Sequence, residues 1–342
     1  MLKVGLSVLV LVGVCLTGAT RGATIEEDFA TDPSLNGWQV FGGTNLFLWN
    51  ATNGNLEVTW DSREPNSYFY HALGGEFTRH DDLSLEFDLE LVDITSGVEP
   101  GKTGPLQLGF GFLNYTTATS TNFMRGVWGG APNVAEFDYY PSGYYDFGGV
   151  IWDIAPTTTP CFISGVDSFH YAPAFLTAYE RALPTNQAVH VRLDYDGATQ
   201  TATLALTTNG VPLALLPGLV LNSAANSQFT STDDFRVDMI SISSYSSNGN
   251  DYDSVLAHGT VANLVATASV RALGRLTGGF ETNGVWQARF FGRSNWLYTL
   301  ERTENFVEWT PASATLPGAE EGMTLQDSNP PSAGAFYRVR AE

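Results

Sequence analysis

The sequence predicts an all-β protein, in which a two-sheet antiparallel jelly-roll sandwich is followed by a small β-sandwich-like domain. Short runs of alternating apolar and polar residues recur along the chain, and helical periodicity is almost absent. Turn-forming residues separate these runs, with 35 Gly and 16 Pro in 342 residues. Many short strands at this spacing are typical of sandwiches and jelly rolls.

Eight stretches in the first 250 residues carry this strand pattern. They are residues 55–60, 67–72, 83–91, 106–114, 133–140, 188–196, 201–209 and 235–245. The clearest hairpin contains the turn dipeptides Asp196-Gly197 and Asn209-Gly210. Its alternation predicts that apolar residues of the two strands face each other, namely Val191, Leu193 and Tyr195 opposite Leu204 and Leu206.

The chain is expected to contain two domains, at 25–267 and 268–342. The smaller one is predicted to contain strands at 286–292, 296–303 and 335–341. Between Pro141 and Thr185 the periodicity is weak and aromatic residues are frequent. We therefore predict that this interval is a long functional loop packed on the sandwich.

Residues 1–22 predict a secretory signal peptide. Lys3 precedes an apolar run from Val4 to Leu16, which is too short to span a bilayer, and small residues follow. Removing this segment takes away two cations and no acid, so the net charge changes from −20 to about −22. Such a charge disfavours nucleic acid and favours divalent cations. We expect a secreted or cell-envelope protein with no transmembrane segment and no nucleic-acid partner.

Three segments resemble the concanavalin A-like lectin/glucanase superfamily, the jelly-roll group that includes laminin-G-like domains. They are IEEDFATDPSLNGW, NLEVTWDSREPNSYFYHALGGEF and VRLDYDGATQTATLALTTNG. This resemblance covers about residues 25–267 and implies sugar binding or sugar cleavage on the concave sheet. The C-terminal pattern YTLERT…W…FYRV is similar to a segment joined to such domains in secreted bacterial proteins. We expect this segment to associate with the cell surface.

The stretch LSLEFDLELVD places three acids on one face of a predicted strand. Glu86-x-Asp88-x-Glu90 resembles the E-x-D-x-E motif of laminarinase-type glycoside hydrolases, which implies that Glu86 and Glu90 are nucleophile and acid/base. The sequence after Glu90 departs from that pattern, because Leu91, Val92, Asp93 and Ile94 follow. Alternation alone also predicts a solvated sheet face. Retaining hydrolysis is therefore the alternative function, and no catalytic residue is favoured.

The stretch NVAEFDYYPSGYYDF resembles the strand-to-loop metal site of legume-type lectins. The resemblance implies that the metal ligands are Glu136, Asp138, Tyr140, Ser142 and Asp146. Carboxylate, carbonyl and hydroxyl oxygens suit calcium, which is the expected cofactor. A serine stands where those lectins have asparagine, and their histidine is absent from the following strand. The alternative is that the two acids end a strand and cap its loop.

Sugar sites combine aromatic faces with a few polar groups. By this criterion the candidate glycan ligands are Arg125, Trp128, Asn133, Tyr140 and Tyr144. We therefore predict a secreted, lectin-like protein that binds a polysaccharide or glycan without cleaving it. A structural or adhesive envelope protein without a ligand site is a further alternative.

Overall fold

The computed structural model describes residues 22–125, 131–147, 150–163, 180–215, 219–220, 234–249, 252–270, 276–280, 284–293, 296–319, 322–332 and 334–341. The protein contains two compact units, one formed by Gly22–Arg271 and the other including Ala272–Glu342. The predicted signal peptide lies outside the described residues, except for Gly22. None of the helices that the structure describes is long and apolar enough to cross a membrane.

The described residues of the first unit form strands, one short helix, α1 (Tyr115–Ala118), and two 3₁₀ turns at Pro33–Asn36 and Thr44–Leu46. The strands are β1 (Gly22–Glu27), β2 (Gln39–Phe41), β3 (Phe47–Asn50), β4 (Asn55–Asp61), β5 (Ser67–Thr78), β6 (Asp82–Ser96), β7 (Gly104–Pro105), β8 (Leu108–Leu113), β9 (Val134–Tyr140), β10 (Gly143–Phe147), β11 (Val150–Ile154), β12 (Thr157–Ile163), β13 (Ala188–Asp196), β14 (Thr201–Thr208), β15 (Val211–Leu215), β16 (Leu219–Val220), β17 (Arg236–Ser244) and β18 (Asp253–Ser269).

Two sheets make up the sandwich of the first unit. The larger sheet has the order β15-β14-β13-β6-β18-β4-β3, with β1 and β7 paired to β18 and β16 paired to β14. The smaller sheet has the order β12-β9-β8-β17-β5-β2, and β10 and β11 form a separate hairpin. Neighbours along both strand orders are antiparallel, whereas the short β7 runs parallel to β18. The predicted all-β, two-sheet sandwich is confirmed.

The apolar core lies between these two sheets. Along β6, Leu85, Phe87 and Leu89 are buried, while the acids between them reach the opposite face. Phe87 stacks on Phe110 of β8 with ring centroids 4.6 Å apart, and it lies 6.1 Å from Phe137 of β9. Burying each such ring contributes roughly 1.5–3 kcal/mol. These contacts fix which faces of β6, β8 and β9 point inward.

Strand β9 of the smaller sheet is buried on its second face as well. All seven residues of β9 are buried. Since side chains alternate along a strand and Phe137 points into the sandwich core, Glu136 and Asp138 point to the other face. In the neighbouring strand β8, Gly111 and Gly109 are the register partners of these two acids.

The second unit contains β19 (Thr277–Phe280), β20 (Trp286–Phe291), β21 (Leu297–Thr303), β22 (Thr310–Pro311), β23 (Leu316–Pro317), β24 (Gly322–Asp327) and β25 (Phe336–Ala341). One sheet has the order β19-β20-β24, and in the other β21 pairs with β22, β23 and β25. Trp286 stacks on Tyr337 with ring centroids 3.8 Å apart, and Leu300 and Leu325 are buried in the same core.

Most predicted strands agree with the structure to within a few residues, although β5 and β6 run well beyond their predicted ends. In the predicted hairpin, Val191 faces Leu206 and Leu193 faces Leu204, as expected. The interpretation of Pro141 to Thr185 as a loop is wrong for residues 143–163, which contain β10, β11 and β12. Strand β12 is buried throughout, so it lacks the alternation that reveals a half-exposed strand. Residues 164–179 lie outside the described residues.

Candidate functional site

The acids of the E-x-D-x-E stretch lie on the outer face of the larger sheet. The Oδ1 of Asp88 is 2.9 Å from Nδ1 of His190, and its Oδ2 accepts a 2.7 Å hydrogen bond from Asn263. The Oε2 of Glu86 accepts a 3.4 Å hydrogen bond from Arg192. Glu90 is half-buried and lies on the same face of β6 as Glu86 and Asp88. Cross-strand pairs of this kind are typical of a solvated sheet face.

The acids of the second EFD stretch have a different environment, because Arg125 binds them both. Its Nε donates to Oε1 of Glu136 at 3.1 Å, and its Nη2 donates to Oδ2 of Asp138 at 2.7 Å. All three side chains are completely buried. One guanidinium therefore lies between two carboxylates on the outer face of the smaller sheet.

Two further residues complete this buried group, which we call the Arg125 cluster: Arg125, Glu136, Asp138, Cys161 and Tyr245. The Tyr245 hydroxyl donates to Oε2 of Glu136 at 2.6 Å, and its ring centroid lies 5.3 Å from Cζ of Arg125. The Sγ of Cys161 lies 3.7 Å from Nη2 of Arg125. The guanidinium thus has an ionic, a π and a thiol contact.

The two glycines of β8 make room for the Arg125 cluster. A Cβ added to Gly109 would lie 2.5 Å from the Tyr245 ring and 2.9 Å from Oε2 of Glu136. A Cβ added to Gly111 would lie 2.4 Å from the backbone of Glu136. Any side chain at either position would therefore displace the cluster.

Burial controls the protonation of the Arg125 cluster. Loss of solvent raises the pKa of Asp138 well above its ordinary value; Arg125 opposes this rise, whereas the nearby Glu136 increases it. Loss of solvent alone would lower the pKa of Arg125, but Asp138 and Glu136 outweigh it and raise that pKa. A protonated Asp138 leaves one carboxylate for one guanidinium. Burial also raises the pKa of Cys161, which favours the neutral thiol.

The predicted metal ligands are not arranged as an open oxygen site. Glu136 and Asp138 are hydrogen bonded to Arg125, Tyr140 is buried, and Ser142 is exposed. Asp146 lies on β10, and its side chain is outside the description. Within the described ranges, no three His, Cys, Asp or Glu side chains are grouped to hold a metal ion. Calcium stays a prediction, and both carboxylates could bind it only if Arg125 moved away.

The predicted glycan ligands occupy different environments. Arg125 and Tyr140 are buried on the outer side of the smaller sheet and are not exposed at the edge of a ligand site. Asn133 is half-buried, and its Oδ1 accepts a 3.0 Å hydrogen bond from the backbone N–H of Arg236. Tyr144 is 58% exposed on β10. Trp128 lies outside the described residues.

The sequence interpretation missed an aromatic surface on the outer face of the smaller sheet. We call Gln39, Phe41, Tyr70 and Tyr115 the tyrosine platform. The rings of Tyr70 and Tyr115 are 5.2 Å apart, and Phe41 lies 6.5 Å from Tyr115. The Tyr70 hydroxyl donates to Oε1 of Gln39 at 2.9 Å. Tyr115 is 39% exposed, and Gln39 is exposed.

Local structure fixes the orientation of the tyrosine platform. Phe69 stacks on Trp38 in the core with ring centroids 4.7 Å apart, so its neighbour Tyr70 points outward. Asn114 caps α1 by accepting a 3.0 Å hydrogen bond from the backbone of Thr117. Alternation within residues 67–72 could have indicated that Tyr70 faces outward, but its proximity to Tyr115 is a tertiary contact.

Desolvation and the neighbouring Tyr115 raise the pKa of Tyr70 to about 12. Its hydroxyl therefore stays protonated at neutral pH. The tyrosine platform offers a phenolic donor beside an amide and two further rings, which is a surface able to stack on a ligand and hydrogen bond to it.

No protein-family model matches the chain, and no curated protein matches it. Several solved structures are similar. Peanut lectin is 15% identical, with a TM-score of 0.40, and the match covers 73% of this chain and 99% of the lectin chain. Lectin UEA-II in complex with galactose is 10% identical, with a TM-score of 0.44, and the match covers 72% of this chain and 98% of the lectin chain.

The exoplasmic/lumenal domain of VIP36, in a Ca²⁺/Man2-bound form, is also similar. It is 9% identical, with a TM-score of 0.37, and the match covers 73% of this chain and 88% of the VIP36 chain. These neighbours belong to the concanavalin A-like lectin/glucanase superfamily.

The raised pKa of Asp138 predicts a pH-dependent stability. Folded Asp138 keeps a proton that the unfolded chain loses above pH 3.8, so its contribution to stability is complete below that pH and is lost as pH rises towards the folded pKa. One such proton gives a slope of about 1.4 kcal/mol per pH unit. Because an amide does not titrate, we expect Asp138→Asn to remove this slope in urea unfolding above pH 3.8.

Equal slopes in the wild type and Asp138→Asn would show that Asp138 is ionised in the folded protein.

The second prediction concerns the buried ion pair. Glu136→Gln removes the carboxylate charge that pairs with the buried Arg125. We therefore expect the free energy of unfolding to fall by roughly 3–5 kcal/mol. The matched change Glu86→Gln affects an exposed pair and should cost at most about 1 kcal/mol. Urea titration of both variants tests this, and similar losses would contradict the assignment.

The third prediction concerns calcium. The sequence predicts calcium at Glu136 and Asp138, whereas the pairing of Arg125 with both carboxylates leads us to expect the same wild-type melting temperature with calcium and with chelator. Specific binding would raise the melting temperature by mass action. A calcium-dependent rise that Asp138→Asn abolishes would show that the ion displaces Arg125.

Proposed function

We propose that the protein binds carbohydrate at the tyrosine platform and does not cleave it. The observation that supports this proposal is the pair of rings, Tyr70 and Tyr115, which lie 5.2 Å apart beside the exposed amide of Gln39. The C–H face of a sugar stacks on such rings, and its hydroxyls bond to neighbouring amide and phenol groups.

The charge of the protein favours a neutral ligand. A formal net charge of −20 repels polyanions such as uronic-acid chains and sulfated glycans. We therefore propose a neutral polysaccharide or glycan outside the cell as the ligand. Association of the second unit with the cell surface remains part of the same proposal.

A non-catalytic role agrees with the positions of the carboxylates. Glu86 and Asp88 form cross-strand pairs on the outer face of the larger sheet, and Glu136 and Asp138 are bound to Arg125. Asp238 lies near the tyrosine platform, and its Oδ1 accepts a 2.7 Å hydrogen bond from the backbone N–H of Tyr115. The platform thus combines rings with hydrogen-bonding groups and uses no pair of free carboxylates.

The fourth prediction tests the tyrosine platform. A glycan array would identify the ligand, and calorimetry would then compare Tyr115→Ala and Tyr70→Ala with the wild type. Each variant should lose about tenfold or more in affinity, equivalent to about 1.4 kcal/mol. Tyr115→Phe keeps the ring and should lose less. The control is Tyr144→Ala, which removes an exposed tyrosine from β10.

Other outcomes of the same experiment favour the alternatives. Loss of binding in Tyr144→Ala with full binding in both platform variants would place the site at β10. Release of reducing ends from β-glucans that disappears in Glu86→Gln would support the hydrolase. Absence of both binding and hydrolysis would support a structural or adhesive role.

A further inference from the structure

A second surface feature lies on the opposite sheet of the sandwich and has no part in the proposed glycan site. It is a cavity of about 250 Å³ on the outer face of the larger sheet, which we call the Leu48–Val92 groove. Its floor is formed by β4 and β18, with β3 on one side and β6 on the other. Three strand spacings separate β3 from β6, about 14 Å, and Leu48 of β3 and Val92 of β6 both line the cavity.

The two walls of the groove are apolar and exposed. Leu48 is 54% exposed on β3, and Val92 is 48% exposed on β6. Val92 owes its position to a β-bulge, because His258 pairs with Asp93 and Gly259 pairs with Leu91. A bulge changes the direction in which the side chain of the extra residue points, and here the extra residue is Val92. The larger sheet therefore leaves two branched aliphatic side chains in water on either side of one cavity.

The close contact of β18 with β6 depends on a glycine at the bulge. A Cβ added to Gly259 would lie 2.5 Å from the carbonyl oxygen of Glu90. The glycine lets the two backbones approach where Val92 is displaced. The displacement of Val92 is therefore fixed by the pairing of β18 with β6.

The floor of the groove carries acceptors and negative charge. Glu57 and Thr59 of β4 pair in register with Thr260 and His258 of β18. Glu90 of β6 is the register partner of Thr260 on its other side, so Glu57, Thr260 and Glu90 lie side by side on three neighbouring strands. Nδ1 of His258 lies 2.8 Å from Oδ1 of Asp93. The carboxylate of Glu57, two hydroxyls and one imidazole therefore line the groove, and Glu90 and Asp93 lie next to its lining residues on β6.

We propose that the Leu48–Val92 groove binds a lysine side chain projecting from a partner polypeptide. The alkyl stem would pack between Leu48 and Val92. An ammonium group has three N–H donors and no acceptor. Glu57, whose Oε1 also accepts a 2.6 Å hydrogen bond from Asn50, lines the groove together with the hydroxyls of Thr59 and Thr260. The negative charge of the floor and of the whole chain is complementary to this cation. Among the described residues that line the groove there is no Phe, Tyr or Trp, which distinguishes it from the tyrosine platform.

The test uses the full chain and Nα-acetyl-lysine methylamide as the probe, followed by NMR of the His258 imidazole and the Leu48 and Val92 methyl groups. We expect saturable shifts at these three residues. The same compound acetylated on its ammonium group has the alkyl stem without the charge, and it should bind at least tenfold more weakly. Equal binding of both compounds would overturn the proposal, and so would shifts that do not saturate.

Variants separate the charge from the apolar walls. Glu57→Gln and Leu48→Ser should each weaken binding of the lysine compound about tenfold or more, equivalent to about 1.4 kcal/mol. Both positions are at the surface, so their folding can be checked by an unchanged melting temperature. Glu86→Gln removes an acid elsewhere on the same face and should leave binding unchanged. If Glu86→Gln weakens binding as much as Glu57→Gln, the attraction is a diffuse charge effect and the groove is not a site.

Tyr115→Ala distinguishes this proposal from the glycan site. It removes a ring of the tyrosine platform and should leave lysine binding at its wild-type strength. Loss of lysine binding in this variant would contradict the assignment to the Leu48–Val92 groove.

Discussion

The pairing of Arg125 with Glu136 and Asp138 is the interaction on which the smaller sheet depends. Strand β9 of that sheet is buried on both faces, so its polar side chains have no water to solvate them. A buried carboxylate without a partner costs several kcal/mol. The guanidinium, the Tyr245 hydroxyl and a proton on Asp138 together make the burial of two acids possible.

The two sheets differ in how they use their outer faces. On the larger sheet, Glu86, Asp88, Arg192 and His190 remain partly exposed, and pairs of this kind contribute at most about 1 kcal/mol each. Such a face tolerates substitution and can adapt to a ligand. On the smaller sheet the Arg125 cluster is fixed by packing, so ligand contacts are available where the cover ends, at the tyrosine platform.

The fold could be predicted largely from the sequence because most strands have one exposed face. In β6, apolar and polar residues alternate strictly from Leu83 to Glu90, and the structure confirms that pattern. Strand β12 escaped prediction because burial on both faces removes the alternation. The alternation of apolar and polar residues within a strand therefore identifies strands with one exposed face and misses strands that are buried on both faces.

The candidate sites were harder to predict because they depend on contacts between distant segments. Arg125 lies in a stretch without strand pattern, and nothing local indicates that its side chain enters the interior between two acids. Tyr70 and Tyr115 are 45 positions apart in the sequence and meet only after β5 and α1 are in place. Val92 is exposed because its strand slips by one residue against β18, which is a property of the pair.

The two EFD stretches show what decides the fate of similar acids. Both alternate acidic and aromatic residues, and an overall charge of −20 makes solvent exposure the simple expectation for each. The neighbouring strands distinguish them. Beside β6, Arg192 of β13 is the register partner of Glu86 at an open surface, whereas beside β9 the partners are Gly111 and Gly109. Two glycines on one face of a strand leave a depression that a neighbouring group must fill, and Tyr245 and Glu136 fill it. The pattern G-x-G in β8, formed by Gly109 and Gly111, therefore indicates a buried cluster. It can be interpreted in this way only when the register that places these glycines beside Asp138 and Glu136 is known.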